Sequence, residues 1–273
     1  MIELSRKIKR LIHRVTAPGC GSGGCESKER HRLAQIPRYV ETQTNLPGSS
    51  FRIPDAASFM ASWKEIFDRE IYKIKSTAMA PRILDCGANV GVSSLYFRKQ
   101  FPGARITAFE PDPKIFSYLR DNLAQAGFSD VELIEKGVWN SEGTLRFHSE
   151  GADAGRINNA SQAAYIEIHT VRLLDYLIED IDLLKIDIEG AEDEVLADIS
   201  PSLSRVKNIF IEYHSFEGRP QTLGKLIQTL TDAGFRLQIH HLNASPKPFL
   251  KVSSHLGMDM QLNIFGYRAE CES

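Results

Sequence analysis

The 273-residue chain is poor in cysteine: only Cys20, Cys25, Cys86 and Cys271, too few and too scattered for a disulfide framework. Cys20 and Cys25 stand in PGCGSGGCES with no second Cys or His pair of matching spacing. That excludes a metal knuckle and a redox C-x-x-C, and the stretch reads as a Gly-rich linker with two incidental thiols. No run of ~18 apolar residues occurs, so no membrane-spanning helix is expected. The opening segment lacks the unbroken apolar stretch of a secretory signal, and the expected location is the reducing cytoplasm. An excess of basic residues is missing too: 33 Lys and Arg against 35 Asp and Glu leave a net charge of −2. A general nucleic-acid binder needs a basic footprint to displace counterions, so no nucleic-acid partner is expected. No internal repeat is visible, and the G-x-G-x-x-G of dinucleotide enzymes is absent. What remains, 42% apolar and 25% charged residues, suits a globular protein able to bury a core without staples.

Residues 1–15 set Leu4, Ile8, Leu11, Ile12 and Val15 at helical spacing among Arg6, Lys7, Lys9, Arg10 and Arg14. Such a basic amphipathic helix could touch an anionic membrane surface peripherally, cover a second subunit of a homo-oligomer, or pack on its own domain. Residues 16–30 read as the linker, and 31–50 carry turn signals at Pro37 and at Asn45–Gly48. Residues 55–75 read as a helix with Phe59, Trp63, Ile66, Phe67, Ile71 and Ile74 on its apolar face. The segment 31–79 is therefore expected to be an N-terminal extension that packs on the main domain and covers its cleft. From residue 80 to 273 short apolar runs alternate with helical stretches. Strands are expected at 82–87, 105–111, 131–137, 144–148, 165–171, 182–190, 208–214, 235–241 and 261–269. Helices are expected at 90–101, 112–127, 191–199 and 221–234. Strands alternating with ~10–15-residue helices imply an α/β fold, a three-layer doubly wound and mainly parallel sheet.

Ligands of such sheets sit at the carboxyl ends of the strands, so the chemistry is sought there. The first cluster is Asp85-Cys86-Gly87-Ala88-Asn89-Val90-Gly91. Gly87 and Gly91 allow a tight turn and close approach to the backbone. The Asp85 carboxylate disfavours phosphate and favours a cationic ligand, which suits S-adenosylmethionine with its sulfonium and ammonium. Glu110 ends the next strand, 25 positions on, where an acid accepts both hydroxyls of a ribose; Pro111 follows it, and Asp112 reads as the cap of the next helix. Lys136-Gly137-Val138 ends a third strand, near the expected adenine. The most distinctive cluster is Lys185-Ile-Asp187-Ile-Glu189-Gly190-Ala-Glu192. Alternation puts Lys185, Asp187 and Glu189 on one face, and Glu192 suits the first turn of the following helix as a cap before anything else. Glu212-Tyr213-His214 ends the neighbouring strand, and histidine is the usual proton acceptor near neutral pH. His148, His169, His240 and His241 have no partner at metal-ligand spacing. The polar segment 149–163 holds no core-forming residues and reads equally as a substrate lid or an idle loop.

Together these residues resemble the FkbM family of S-adenosylmethionine-dependent methyltransferases, from about Ile83 to about Tyr213. The resemblance rests on Asp85-x-Gly87-Ala88-Asn89-x-Gly91, on Ala108-Phe109-Glu110-Pro111 and on Lys185-x-Asp187-x-Glu189-Gly190-Ala191-Glu192. It implies the seven-stranded methyltransferase sheet with its last strand inserted antiparallel, and O-methylation of a hydroxyl on a glycan, glycolipid or natural product. In this reading Asp85, Gly87, Ala88, Asn89, Gly91, Glu110, Pro111, Gly137 and Val138 hold the cofactor. Asp187, Glu212, His214, Lys185 and Glu189 serve the acceptor, with His214 the preferred general base. A divalent cation held by Asp187 and Glu212 is the less favoured version of the same chemistry. A nicotinamide-linked oxidoreductase on a similar sheet and a non-catalytic cofactor-binding partner protein are the alternatives. Residues 1–79 and 242–273 lie outside the resemblance.

Overall fold

A computed structural model describes residues 22–148, 156–157, 165–254 and 256–268. The expected helix over 1–15, the thiols Cys20 and Cys271 and most of the segment 149–163 lie outside the described residues. Within them the chain is α/β, built on a seven-stranded sheet of order β12-β13-β11-β10-β3-β4-β5. Its strands are β3 (Arg82–Cys86), β4 (Arg105–Phe109), β5 (Glu132–Ile134), β10 (Ile181–Ile186), β11 (Val206–Phe216), β12 (Arg236–Ala244) and β13 (Met258–Tyr267). The pairs β10–β11, β10–β3, β3–β4 and β4–β5 are parallel. β13 runs antiparallel between β11 and β12, as the resemblance implied. The inner strands read as unbroken apolar runs because both faces are covered: Ile181–Ile186 is buried at every position.

Helices α3 (Val92–Gln100), α4 (Pro113–Gln125), α5 (Glu192–Ile199) and α6 (Leu223–Asp232) connect the parallel strands or flank them. Asp112 caps α4, accepting from Lys114 N at 2.8 Å and Ile115 N at 3.2 Å, with Pro113 at the first helical position. The run 131–137, read as one strand, is β5 and a separate β6 (Gly137–Trp139). β6 joins β9 (Tyr165–Arg172), β7 (Gly143–His148) and β8 (Arg156–Ile157) in a second, four-stranded sheet of order β6-β9-β7-β8. Alternation in 144–148 and 165–171 marks strands but not which sheet they enter.

The N-terminal segment departs from expectation twice. Residues 22–34 form helix α1 (Ser22–Ala34) instead of continuing the linker to residue 30. Glycines 23 and 24 suggest a linker, but Arg30 bonds Glu26 one turn back and reaches Asp68 at 2.7 Å, and Leu33 is buried. The expected helix 55–75 stops early: α2 (Ala56–Trp63) passes into one π-helical stretch (Lys64–Asp68), and Glu70 turns the chain at φ +51°. Asp55 starts α2 by accepting from Ser58 N at 2.8 Å and Tyr39 N at 2.5 Å. A short hairpin, β1 (Thr42–Thr44) with β2 (Phe51–Ile53), precedes it. Phe51, Ile53, Phe59, Trp63 and Tyr72 belong to the same apolar cluster as Ile83, Leu95 and Phe97 of the sheet and α3. Trp63 stacks on Phe67 at 4.0 Å, and Phe67 meets Tyr96 of α3 edge-on at 5.3 Å. Those contacts lay the segment 55–72 over the carboxyl edge of the sheet.

Candidate functional site

The winding reverses between β3 and β10, which lie side by side with Asp85 opposite Lys185 and Cys86 opposite Ile186. A crevice forms where the two loops after these strands part. After β3, Gly87 takes φ +84°, and its N–H and that of Ala88 both donate to the Phe109 carbonyl, at 3.0 and 2.9 Å. A β-carbon on Gly87 would stand 1.8 Å from the Asp187 carbonyl oxygen, so the two loops touch only because residue 87 has no side chain. Asn89 turns at φ +48° with its Oδ1 accepting from Val90 N at 2.7 Å, and Gly91, at φ +96°, caps α3. Asn122 of α4 steadies this turn by donating to the Val90 carbonyl at 2.9 Å.

Glu110 follows β4 and is 6% exposed. Its two oxygens accept from Asn89 N at 3.0 Å and Asp112 N at 2.9 Å. Burial, with the Asp112 carboxylate nearby, raises its carboxyl to about 7 against the two backbone hydrogen bonds. Pro111 packs near Gly137, where a β-carbon would come within 3.5 Å of Pro111 Cβ. The third strand end thus lies beside the second. The Val138 side chain is part of the core rather than of an open pocket.

Asp85 is wholly buried and does not line the cavity above it. Its Oδ2 accepts from the Ser93 and Ser94 hydroxyls, each at 2.6 Å, and its Oδ1 lies 3.4 Å from Lys185 Nζ. The carboxylate expected to face a ligand instead ties the first turn of α3 to Lys185. Lys185 donates to the Gly87 carbonyl at 2.7 Å and pairs with Asp187 at 3.4 Å. Burial by itself would lower its ammonium, but Asp187 and Asp85 outweigh that and raise it. It is a fixed cation set in the floor of the site, not a base.

A cavity of about 320 Å³ opens over these strand ends. Gly87–Asn89 and Lys185 form its floor, Asp187, Glu189 and Glu212 one wall, and Ser62, Ile66 and Tyr72 part of its roof. β10 ends at Ile186, and Glu189 and Gly190 turn the chain at φ +59° and +98°. The alternation expected for Lys185, Asp187 and Glu189 therefore breaks after the strand, yet the turn still brings all three to the cavity. Glu212 of β11 joins them from the next strand. Burial raises both Glu189 and Glu212; for Glu212 the next cause is repulsion from Asp187, while His214 draws Glu189 back down.

His214 is 5% exposed and stands behind this acidic wall, not in the lining of the cavity. Its Nδ1 lies 2.9 Å from Glu192 Oε1, and its Nε2 lies 3.4 Å from Glu212 and 3.5 Å from Glu189. Burial opposes its charge, but Glu189 and Glu192 more than reverse this and raise it well above the ordinary histidine value. A ring facing carboxylates on both nitrogens and already holding its proton is poorly placed to accept another from a substrate. Glu192, read first as a helix cap, also accepts from Gly190 N at 2.9 Å and Ile188 N at 3.3 Å. One buried carboxylate thus clamps both the turn and the imidazole.

Three residues of the site carry little or no sequence signal as site residues. Glu192 sits inside the distinctive cluster but looks like a capping acid. Tyr72 roofs the cavity from the extension, where no motif marks it. Asn263 lines the cavity because β13 pairs it with Glu212, and its Oδ1 is buried without a hydrogen-bond partner. Period-2 alternation in QLNIFGY was the one available clue.

A doubly wound sheet with an antiparallel strand next to its edge, a glycine turn after the first parallel strand and an acid after the second defines a nucleoside-cofactor methyltransferase architecture. The chain matches the family model of the methyltransferase FkbM domain over residues 85–237, and it belongs to that family. It is an S-adenosylmethionine-dependent methyltransferase. Methyltransferase sdnD of Sordaria araneosa is 30% identical over 231 residues, covering 70% of this chain and 88% of its own. The 2-O-methyltransferase NoeI of Sinorhizobium fredii is 30% identical over 159 residues, 50% of this chain and 65% of its own. The 31-O-demethyl-FK506 methyltransferase FkbM of Streptomyces tacrolimicus is 27% identical over 234 residues, 72% and 89% of the two chains.

Proposed function

We propose that the protein transfers the methyl group of S-adenosylmethionine to a hydroxyl of a glycan, glycolipid or natural product. The observation that carries this reading is the continuity of two half-sites. The glycine turn, with no side chain at residues 87 and 91, and the Glu110 carboxylate beside it leave room and an acceptor for a nucleoside. Across the Gly87–Asp187 contact a wall of carboxylates faces a cavity of small-molecule size. The donor set fits the cofactor. Five carboxylates (Asp85, Asp187, Glu189, Glu192 and Glu212) surround one lysine and one histidine, an excess of negative charge that suits a sulfonium and repels a diphosphate. The names of two relatives, NoeI and FkbM, place their methyl groups on oxygen.

The bound cofactor supplies an electrophilic methyl on a cationic sulfur. The glycine turn and Glu110 would hold this cofactor, and it would supply the methyl to an acceptor oxygen while its sulfur kept the electron pair. Asp187 and Glu212, at the ends of neighbouring strands, bracket the place for the hydroxyl and take up its proton, with Glu189 beside them. Lys185 fixes the spacing between the two loops, and alignment of this kind supplies much of the rate. Asn263 Oδ1 and Tyr72 offer further polar contacts to the rest of the acceptor. The proton thus goes to a carboxylate of the cavity wall, not to His214, which holds that wall in place.

The test has two arms. In thermal-shift titrations S-adenosylhomocysteine should stabilise the protein and NADH should not. Incubation with methyl-labelled S-adenosylmethionine and a panel of oligosaccharides, glycolipids and hydroxylated macrolides should give a labelled ether. Cofactor binding with transfer to none of these hydroxyl compounds would overturn the hydroxyl acceptor.

A further inference from the structure

The acid wall and His214 converge on one point. One oxygen of Asp187, one of Glu212 and Nε2 of His214 all lie within 4.8 Å of one another, close enough to share a single cation. The His214 side chain is wholly buried, and its Nε2 makes no close hydrogen bond: the groups it faces are the carboxylates of Glu212 at 3.4 Å and Glu189 at 3.5 Å. Its other nitrogen is held: Nδ1 faces Glu192 Oε1 at 2.9 Å, and Glu192 is itself anchored by the N–H groups of Ile188 and Gly190. A cation taking the place of the proton at Nε2 would leave Glu192 behind Nδ1 to hold the tautomer, the arrangement seen behind metal-bound histidines.

We propose that Asp187, Glu212 and His214 form a binding site for one divalent cation of the Mg2+ or Mn2+ type, with Glu192 as the residue that orients the imidazole. Two carboxylate oxygens suit such ions better than a thiolate-seeking metal, and the imidazole tilts the choice to Mn2+ over Mg2+, which prefers oxygen alone. Asp187 and Glu212 also line the cavity, so the open positions of the ion face the acceptor. There it would lower the proton affinity of the hydroxyl before transfer and, with Asp187 and Glu212 ligated, leave Glu189 of the same wall to take the proton in their place, a role that rests on the methyltransferase reading above. The sequence favoured a version without metal because His214 looked like a base. With its ring behind the wall, it is placed as a ligand instead.

The test uses the full chain, stripped with EDTA and desalted. Free Mn2+ is followed by electron paramagnetic resonance during titration, and S-adenosylhomocysteine binding is measured by calorimetry on the same samples. The expected result is one Mn2+ per chain. Affinity should fall at least about 100-fold in Asp187→Asn and in Glu212→Gln, and about 10–100-fold in Glu192→Gln, where only the orienting group changes. Asp187 and Glu212 are part-exposed at the cavity and their replacements keep the shape, so either variant can carry the comparison if the other is unstable. Mn2+ binding to the wild type no tighter than to the Asp187→Asn/Glu212→Gln double variant overturns the proposal. S-adenosylhomocysteine binding reads the underlying reading separately: its loss with Mn2+ binding intact would sink the methyltransferase reading and support the ion site.

Discussion

Glu110→Gln separates the cost of the cofactor site from its use. Glu110 is buried, and its carboxyl sits near 7 instead of the ordinary 4.5. Because the folded value is the higher one, the native chain holds a proton between about 4.5 and 7 that the unfolded chain has released. Stability therefore falls as pH rises through that window and is flat above it, a loss of about 3 kcal/mol in all. Glutamine does not titrate. It does present an NH2 to one of the two backbone donors, Asn89 N or Asp112 N, at a pH-independent cost of about 1–3 kcal/mol. The difference in melting temperature, variant minus wild type, should rise by about 6–12 °C between pH 4.5 and pH 8, at roughly 2–4 °C per kcal/mol for a chain of this size. Other titrating groups cancel in that difference. In calorimetry the wild type should bind S-adenosylhomocysteine more tightly as pH rises to about 7, since only the carboxylate accepts both ribose hydroxyls. The variant should bind at least about tenfold more weakly at pH 8. A melting difference that does not move with pH would refute the burial argument, and unchanged affinity would remove Glu110 from the cofactor site.

Four further perturbations test other links. Gly87→Ala forces a β-carbon against the Asp187 carbonyl at a left-handed position, and should cost at least about 2 kcal/mol in urea unfolding while abolishing S-adenosylhomocysteine binding. Glu192→Ala strands His214 Nδ1 and two backbone N–H groups, for about 3–5 kcal/mol by the same measurement; a loss below 1 kcal/mol would show that the clamp is idle. Trp63→Ala should cost about 3–5 kcal/mol if the N-terminal segment shares the core of the sheet, and almost nothing if it is a loose appendage. Tyr72→Phe keeps the edge-on packing with Phe210 at 4.8 Å, so the fold should stay intact; a rise in acceptor KM without a change in cofactor affinity would assign the phenol to the acceptor.

The sheet was legible because its signal is local and repeated. Apolar runs such as ILDC, ITAF and LLKI alternate with amphipathic helices, and that order leaves few topologies. The site was legible where chemistry sits at strand ends, as with Glu110, Asp187 and Glu212. Asp85 and His214 show the limit. Their residue types invite contact with a ligand, but which way they face depends on partners about 100 and 20 residues away, Lys185 and Glu192, and alternation cannot specify those distances. The extension was hidden for another reason. Its helix breaks into a π-helical stretch and a positive-φ turn, so the expected period runs past the real end, and Tyr72 reaches the cavity from a stretch with no regular structure at all. In α1 the paired glycines outweighed the salt bridges and the buried Leu33 that hold the helix.

The main-chain contact between Gly87 and Asp187 makes donor and recipient halves of the pocket a single mechanical piece. Anything that shifts one half is felt by the other, so the floor offers little freedom for tailoring which alcohol is served. Freedom lies overhead, in the 55–72 segment and in the stretch from the end of β12 to the start of β13, whose Leu242 and Leu256 reach the rim. Exchanging those two pieces between such enzymes is the shortest route to a changed clientele, with the transfer machinery left as it is.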